Sequence, residues 1–143
     1  MSNLHIETRW NASSSKVAML VSWGTKIANL ELYKKNPSGQ FVPVRFEQPD
    51  VVATFRERKK ASIFVSDGPT APEDAIGPWK DENTIKLLRG EAFVRKDNSL
   101  VHVYASFEVR IQDRGTVGNV HLYGPFDEED AEDFIQAWLS KVD

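Results

Sequence analysis

"LVHVYASFEVRIQ", residues 100 to 112, alternates without a break. Val101, Val103, Ala105, Phe107, Val109 and Ile111 point one way; His102, Tyr104, Ser106, Glu108, Arg110 and Gln112 point the other. Successive side chains of a strand face opposite sides of its sheet, so the pattern predicts an antiparallel strand with one buried and one wet face. "DRGT" at 113–116 reads as a turn and "VGNVHLYG" at 117–124 as the return strand. Pairing Gln112 with Val117 sets Val109 opposite Val120 and Phe107 opposite Leu122. A slip of one residue would turn this apolar set to the wrong face.

Outward from this hairpin, the C-terminal segment predicts a helix. Gly124-Pro125 is expected to break the return strand, and Asp127 is placed to cap the helix. Glu128, Glu129 and Asp130 put negative charge at the positive end of the helix dipole. Ala131, Phe134, Ile135, Trp138 and Leu139 recur at helical spacing, a stripe expected to lie on the apolar side of the sheet. The acid run reads as a solvated helix start rather than a metal site.

The N-terminal half also reads mainly as strands. "KVAMLVSW" (16–23) is apolar on both faces, as a central strand would be, and the chain turns around Gly24. "IANLELYKK" (27–35) alternates, with Ala28, Leu30 and Leu32 on one side. "NPSGQ" (36–40) has the composition of a hairpin turn. In "FVPVRF" (41–46), Pro43 marks an edge strand, because proline cannot donate to the ladder. "PDVVATFRERKK" (49–60) reads as a short helix, with a strand as the alternative; "ASIFVSD" (61–67) reads as a strand and "DGPTAPEDAIGP" (67–78) as a loop.

With 143 residues the chain fits one domain, 1–143, with 1–60 and 61–143 as pseudo-repeat halves. Four Trp and eight Phe supply a core, which argues against disorder. A net charge of -3 argues against a general nucleic-acid surface, and "RERKK" at 56–60 reads as a soluble charged segment. No apolar run approaches the ~20 residues of a membrane-spanning helix. The absence of cysteine excludes disulfides, thiol catalysis and thiolate metal sites. The start lacks a basic segment followed by an apolar one, which fits a cytoplasmic protein, or a periplasmic or secreted one whose signal peptide has been removed. Asn11-Ala12-Ser13 is a formal glycosylation sequon.

The best chemical constellation lies on the wet face of the predicted hairpin. The register sets His121 opposite Glu108, Tyr123 opposite Ser106 and Asn119 opposite Arg110, with Tyr104 and His102 further along. A Glu–His pair is the minimum that orients an imidazole as a general base. His121, Glu108, Tyr104 and Tyr123 are therefore the candidate catalytic residues. No nucleophile or oxyanion donor completes them, and the ordinary alternative is a solvated cross-strand pair. No cofactor or metal ligand set is read.

Two stretches share a pattern. "WNASSSKVAML" (10–20) and "WKDENTIKLL" (79–88) both run Trp, polar turn, strand. The first resembles the Trp/Ser-Ser-Pro-Asp-Gly hairpin of TolB-type β-propeller blades over residues 10–35, and the second is a poorer copy. Asn11 to Ser14 stand where the family has Ser-Pro-Asp-Gly, so its Pro and Gly are missing. The resemblance implies that Trp10 and Trp79 are equivalent, each buried beside a tight turn that leads into an inner strand. A chain of this length is too short for the four or more blades, of ~40–45 residues each, that close a ring.

The sequence thus predicts an α+β fold: a mainly antiparallel sheet of six to eight strands, in one or two layers, with a C-terminal amphipathic helix. It predicts a small non-enzymatic binding or accessory domain for an unidentified protein or small-molecule partner. The alternatives are a small enzyme using the Glu108/His121 face and a component of a propeller-type assembly. The sequence does not indicate an oligomeric state.

Overall fold

The computed structural model describes residues 4–23, 27–51, 53, 74–94 and 99–140. Among the described residues, eight strands form two four-stranded antiparallel sheets, and a helix follows them. The first sheet is a meander of β1 (Leu4–Trp10), β2 (Lys16–Trp23), β3 (Ile27–Lys35) and β4 (Phe41–Val44). The second is a meander of β5 (Ala75–Asp81), β6 (Thr84–Val94), β7 (Leu100–Ile111) and β8 (Gly115–Phe126), followed by α1 (Glu128–Ser140). The expected α+β class holds, with two layers of strands.

The sheets pack face to face. Ala18, Leu20, Leu30, Leu32 and Val44 of the first share one core with Ile76, Ile85, Leu87, Phe107, Val109 and Ile111 of the second. The alternation read in β3 and β7 supplies both halves of this core. Val51, in a helical turn at the start of the 49–60 segment, is fully buried against Val101, Val103 and Ala105 and closes the inner face of β7. The rest of that segment, the strand expected at 61–67, the basic run at 56–60 and the turn at Gly24 lie outside the described residues.

The turn chemistry follows the sequence closely. The Asn36 carboxamide oxygen accepts from Ser38 N at 3.1 Å and Gln40 N at 2.9 Å, closing the β3–β4 hairpin. Pro43 lies on β4, an edge strand as expected. At the start of α1, the Asp127 carboxylate accepts from Asp130 N at 2.8 Å, the bond of a helix cap.

Four expectations need correction. Residues 75–78, read as loop, open β5. Gly124-Pro125 does not end β8, which runs on to pair Phe126 with His102. Pro125 is tolerated because β8 is an edge strand, and Gly124 takes the left-handed φ of 109° that this passage requires. The β7–β8 register also differs. Ile111 pairs with Gly115, so the turn has three residues instead of four, and an extra residue in β8 lies between the Ser106–His121 and Glu108–Gly118 pairs. Val109 consequently faces Val117, and Leu122 faces Ala105.

The fourth correction concerns α1. Its stripe does not cover the apolar side of β7, which the first sheet and Val51 already occupy. It covers the side read as wet. Leu88, Tyr104, Ala131 and Trp138 form a second core there. Phe134 packs on the rings of Tyr104, Tyr123 and Phe126 at centroid distances of 5.0, 4.8 and 5.2 Å. Strand β7 is buried on both faces over residues 101–107. Leu139, expected in the stripe, is 38% exposed.

Candidate functional site

The expected catalytic face does not assemble. Tyr104 is fully buried beneath α1, and Tyr123, paired opposite it, packs on Phe134. His121 is exposed and lies opposite Ser106, whereas Glu108 lies opposite Gly118. Glu108 has other partners. Asn119, held at a left-handed φ of 52°, donates to its Oε1 at 2.5 Å, and Lys80 Nζ lies 3.3 Å from its Oε2. The Asn119 amide, with the Lys80 ammonium behind it, holds the Glu108 carboxyl below the ordinary glutamate range against the opposing cost of desolvation. These contacts brace the β-bulge. His102 is buried, so it does not extend the face either.

The two Trp motifs meet each other without being equivalent. Both lead into inner strands, β2 and β6. Trp79 turns into the shared core and donates Nε1 to Arg9 O at 2.9 Å. Trp10 turns the opposite way and is 48% exposed, which corrects the expectation that both are buried. Asn11 joins the two turns. It is buried, accepts from Ser15 N and Lys16 N, and donates to Glu82 O and Oε2 at 3.0 and 3.1 Å. Its amide nitrogen is thus engaged within the fold, and the formal sequon has a structural reading.

A charged cluster that the sequence reading missed lies on the inner face of β6. Arg89 donates to Gln48 at 2.5 Å and lies 3.4 Å from Glu91 Oε1 and 3.7 Å from Asp74. Burial pushes the Glu91 carboxyl above its ordinary value, although Arg89 pulls the other way. The signal was two charges, at 89 and 91, on one face of an apolar strand. The cluster ties the segment after β4 to the second sheet. Among the described residues, no group of three His, Asp or Glu is placed to hold a metal ion.

A groove of about 1050 Å³ opens where the chain leaves β4 and crosses to β8. Leu30, Tyr33, Arg45, Phe46, Arg114 and Val117 line parts of it. Gly115 N donates to Arg45 O at 2.8 Å between two of its walls, and Lys34 Nζ donates to Gln112 O at 2.8 Å, tying β3 to the β7–β8 turn. The groove is broad and open, and its walls mix apolar and charged side chains.

The outer face of the first sheet is different in kind. The register puts Leu4, Ile6, Thr8 and Trp10 of β1, Val17, Met19 and Val21 of β2, Tyr33 of β3 and Phe41 and Pro43 of β4 on this one side, together with the polar Asn29, Glu31 and Lys35 of β3. Leu4, Ile6, Trp10 and Phe41 are 49, 48, 48 and 40% exposed. They are the large apolar strand residues left most open among the described residues, and all belong to this side. The rings of Trp10 and Phe41 meet edge to face at 5.3 Å, and Val17, between them in the register, is only 4% exposed. Tyr33 donates its hydroxyl to Glu31, which raises the phenol pKa and gives the face a polar margin.

Comparison of the chain with protein-family models, with curated proteins and with solved structures returns no match.

Proposed function

We propose that the chain is a non-enzymatic binding or accessory domain that docks a protein partner on the outer face of its first sheet. One observation carries this reading: the second sheet's outer face is covered by α1, while the first sheet's outer face leaves Leu4, Ile6, Trp10 and Phe41 open. Large apolar side chains exposed on one face among polar ones are the ordinary signature of an interaction surface. The direct Glu108–His121 pairing that favoured the enzyme alternative is replaced by Ser106–His121 and Glu108–Gly118.

Cross-linking in cell extract tests the reading, using wild type and a Met19→Glu/Phe41→Glu variant whose melting midpoint is matched to it. Wild type captures a defined protein that the variant loses. Identical capture profiles would remove the proposal.

The meander order of both sheets favours a second reading, a component of a propeller-type assembly, since a blade is also a four-stranded meander. The open face would then meet a neighbouring blade, and the captured protein would itself be blade-like.

A further inference from the structure

We propose that two copies of this chain pair along β1, joining their first sheets into one continuous eight-stranded antiparallel sheet. The inference does not rest on the partner reading above, because it uses the edge of the sheet rather than its face.

Edge strands ordinarily carry a device that stops a second chain from pairing with them: a proline, a bulge or very short length. The other edge of this sheet has two of these, since β4 spans only Phe41–Val44 and contains Pro43. Strand β1 has none. Its seven residues contain no proline and pair with β2 in unbroken register from Leu4–Trp23 to Trp10–Val17. Residues 4–8 and 10 are exposed. Among the described residues no strand lies on its other side.

The direction of the free hydrogen-bonding groups follows from the alternation of an antiparallel ladder. Asn11 N donates to Lys16 O at 3.0 Å, so position 11, and with it 9, 7 and 5, bonds into β2. Leu4, Ile6, Thr8 and Trp10 therefore aim their N–H and C=O groups at the open side. A two-fold axis at Thr8 pairs Thr8 with itself and Ile6 with Trp10 of the second copy. Each such pair exchanges both main-chain hydrogen bonds.

The side chains agree with this register. On the outer face, Ile6 and Trp10, each 48% exposed in one copy, become cross-strand neighbours of the aromatic–β-branched type, flanking a Thr–Thr pair. On the inner face, Glu7 of each copy comes opposite Arg9 of the other. Inward charges on an edge strand normally repel a second strand. Here their signs are opposite at the two positions that the two-fold exchanges, so the surface is complementary to itself, as an isologous interface requires. An axis at Glu7 would set that carboxylate against its own copy. An axis at Ile6 would pair Leu4 with Thr8 and would make neither the Ile6–Trp10 nor the Glu7–Arg9 pair.

Sedimentation velocity on the full chain at around 100 μM, which detects association with a Kd of up to about 1 mM, tests the proposal. Wild type sediments as a dimer. Glu7→Arg or Arg9→Glu alone places like charges opposite each other and weakens association about tenfold or more. The double variant Glu7→Arg/Arg9→Glu restores the opposite-sign pairs and with them the dimer. Thr8→Pro removes only an outward-facing donor, a substitution that edge strands accommodate, and gives a monomer with an unchanged far-ultraviolet spectrum. A wild-type monomer at this concentration would overturn the proposal. So would a dimer indifferent to Arg9→Glu, or a double variant no tighter than the single ones.

Discussion

The two sheets are built alike and completed differently. Each is a four-stranded antiparallel meander whose first hairpin carries a Trp motif, and each gives its inner face to the shared core. The second sheet then buries its outer face under α1, so Tyr104, Leu88 and Ser106 are almost fully enclosed. Among the described residues no helix covers the first sheet in this way, and Leu4, Ile6, Trp10 and Phe41 stay open. A sheet needs only one buried face to be stable. The outer face of β5–β8 is therefore part of the packed fold, while that of β1–β4 keeps large apolar side chains in solvent.

The sharpest test of this difference compares the two tryptophans on opposite outer faces. Trp138→Ala deletes an aromatic that is 8% exposed and should lower stability by about 3–5 kcal/mol in thermal or denaturant unfolding. Trp10→Ala, at 48% exposure, should cost about 1 kcal/mol or less. Equal losses would mean that the first sheet's outer face is as structural as the second's. Trp138→Phe should retain most of the stability, because Trp138 Nε1 has no hydrogen-bond partner among the described residues.

The next effect probes the crowded point where β5 meets both β6 and α1. A Cβ at Gly77 would come within 2.7 Å of Lys86 O and 2.9 Å of Trp138 Cη2. Gly77→Ala must therefore push the indole or the strand aside, at about 1–3 kcal/mol for an overpacked site. An unchanged denaturation midpoint would show that α1 rides loosely on the sheet.

A smaller loss is expected from uncapping the helix. Asp127→Ala leaves Asp130 N without its 2.8 Å acceptor and should cost about 1 kcal/mol. Asp127→Asn, which keeps a capping oxygen, should cost less. If both variants melt like wild type, the cover over the second sheet does not depend on its N-terminal turn.

Much of this architecture is legible in local signals. The alternation of β3 and β7, the turn at Asn36–Gln40, the edge proline at 43 and the cap at Asp127 are each set by residues near in sequence. The features that escape a sequence reading depend on choices between distant surfaces. The apolar face of β7 has two claimants, α1 and the first sheet, and nothing within residues 100–112 says which one takes it. His102, Tyr104 and Ser106 read as wet because polar-capable side chains alternate there, yet a helix more than twenty residues downstream buries them. The Glu108–His121 pair fails for a different reason. Register is fixed by where the turn begins, by its length and by bulges: this turn begins one residue early, at Gln112, and is one residue short, which shifts the pairing by three residues, and the extra residue in β8 restores only one of them. The open face of the first sheet is the hardest to foresee, since an exposed Trp10 and a half-buried Trp79 arise from similar local sequences.

The smallest expected effect tests the bulge that sets the second sheet's register apart from a plain hairpin. Glu108 is held in the ionised form by Asn119 and Lys80, so its folded pKa lies below its unfolded one, which is near 4.3 for an ordinary glutamate. A carboxyl lowered on folding stabilises the protein above the unfolded pKa and loses that contribution as the pH falls through the folded value. The side chain retains 17% exposure, and Lys80 is 64% exposed, so the ion-pair part is screened and should amount to about 0.5 kcal/mol or less. Stability measured from pH 6 down to pH 3 should therefore fall slightly more steeply in wild type than in Glu108→Gln, which cannot titrate. Raised salt should shrink the Lys80 share and leave the Asn119 hydrogen bond. Parallel curves at low salt would mean that Glu108 is not engaged in the folded state. The bulge at Asn119 would then lack its brace, and the plain hairpin register that sets Glu108 opposite His121 would have to be reconsidered.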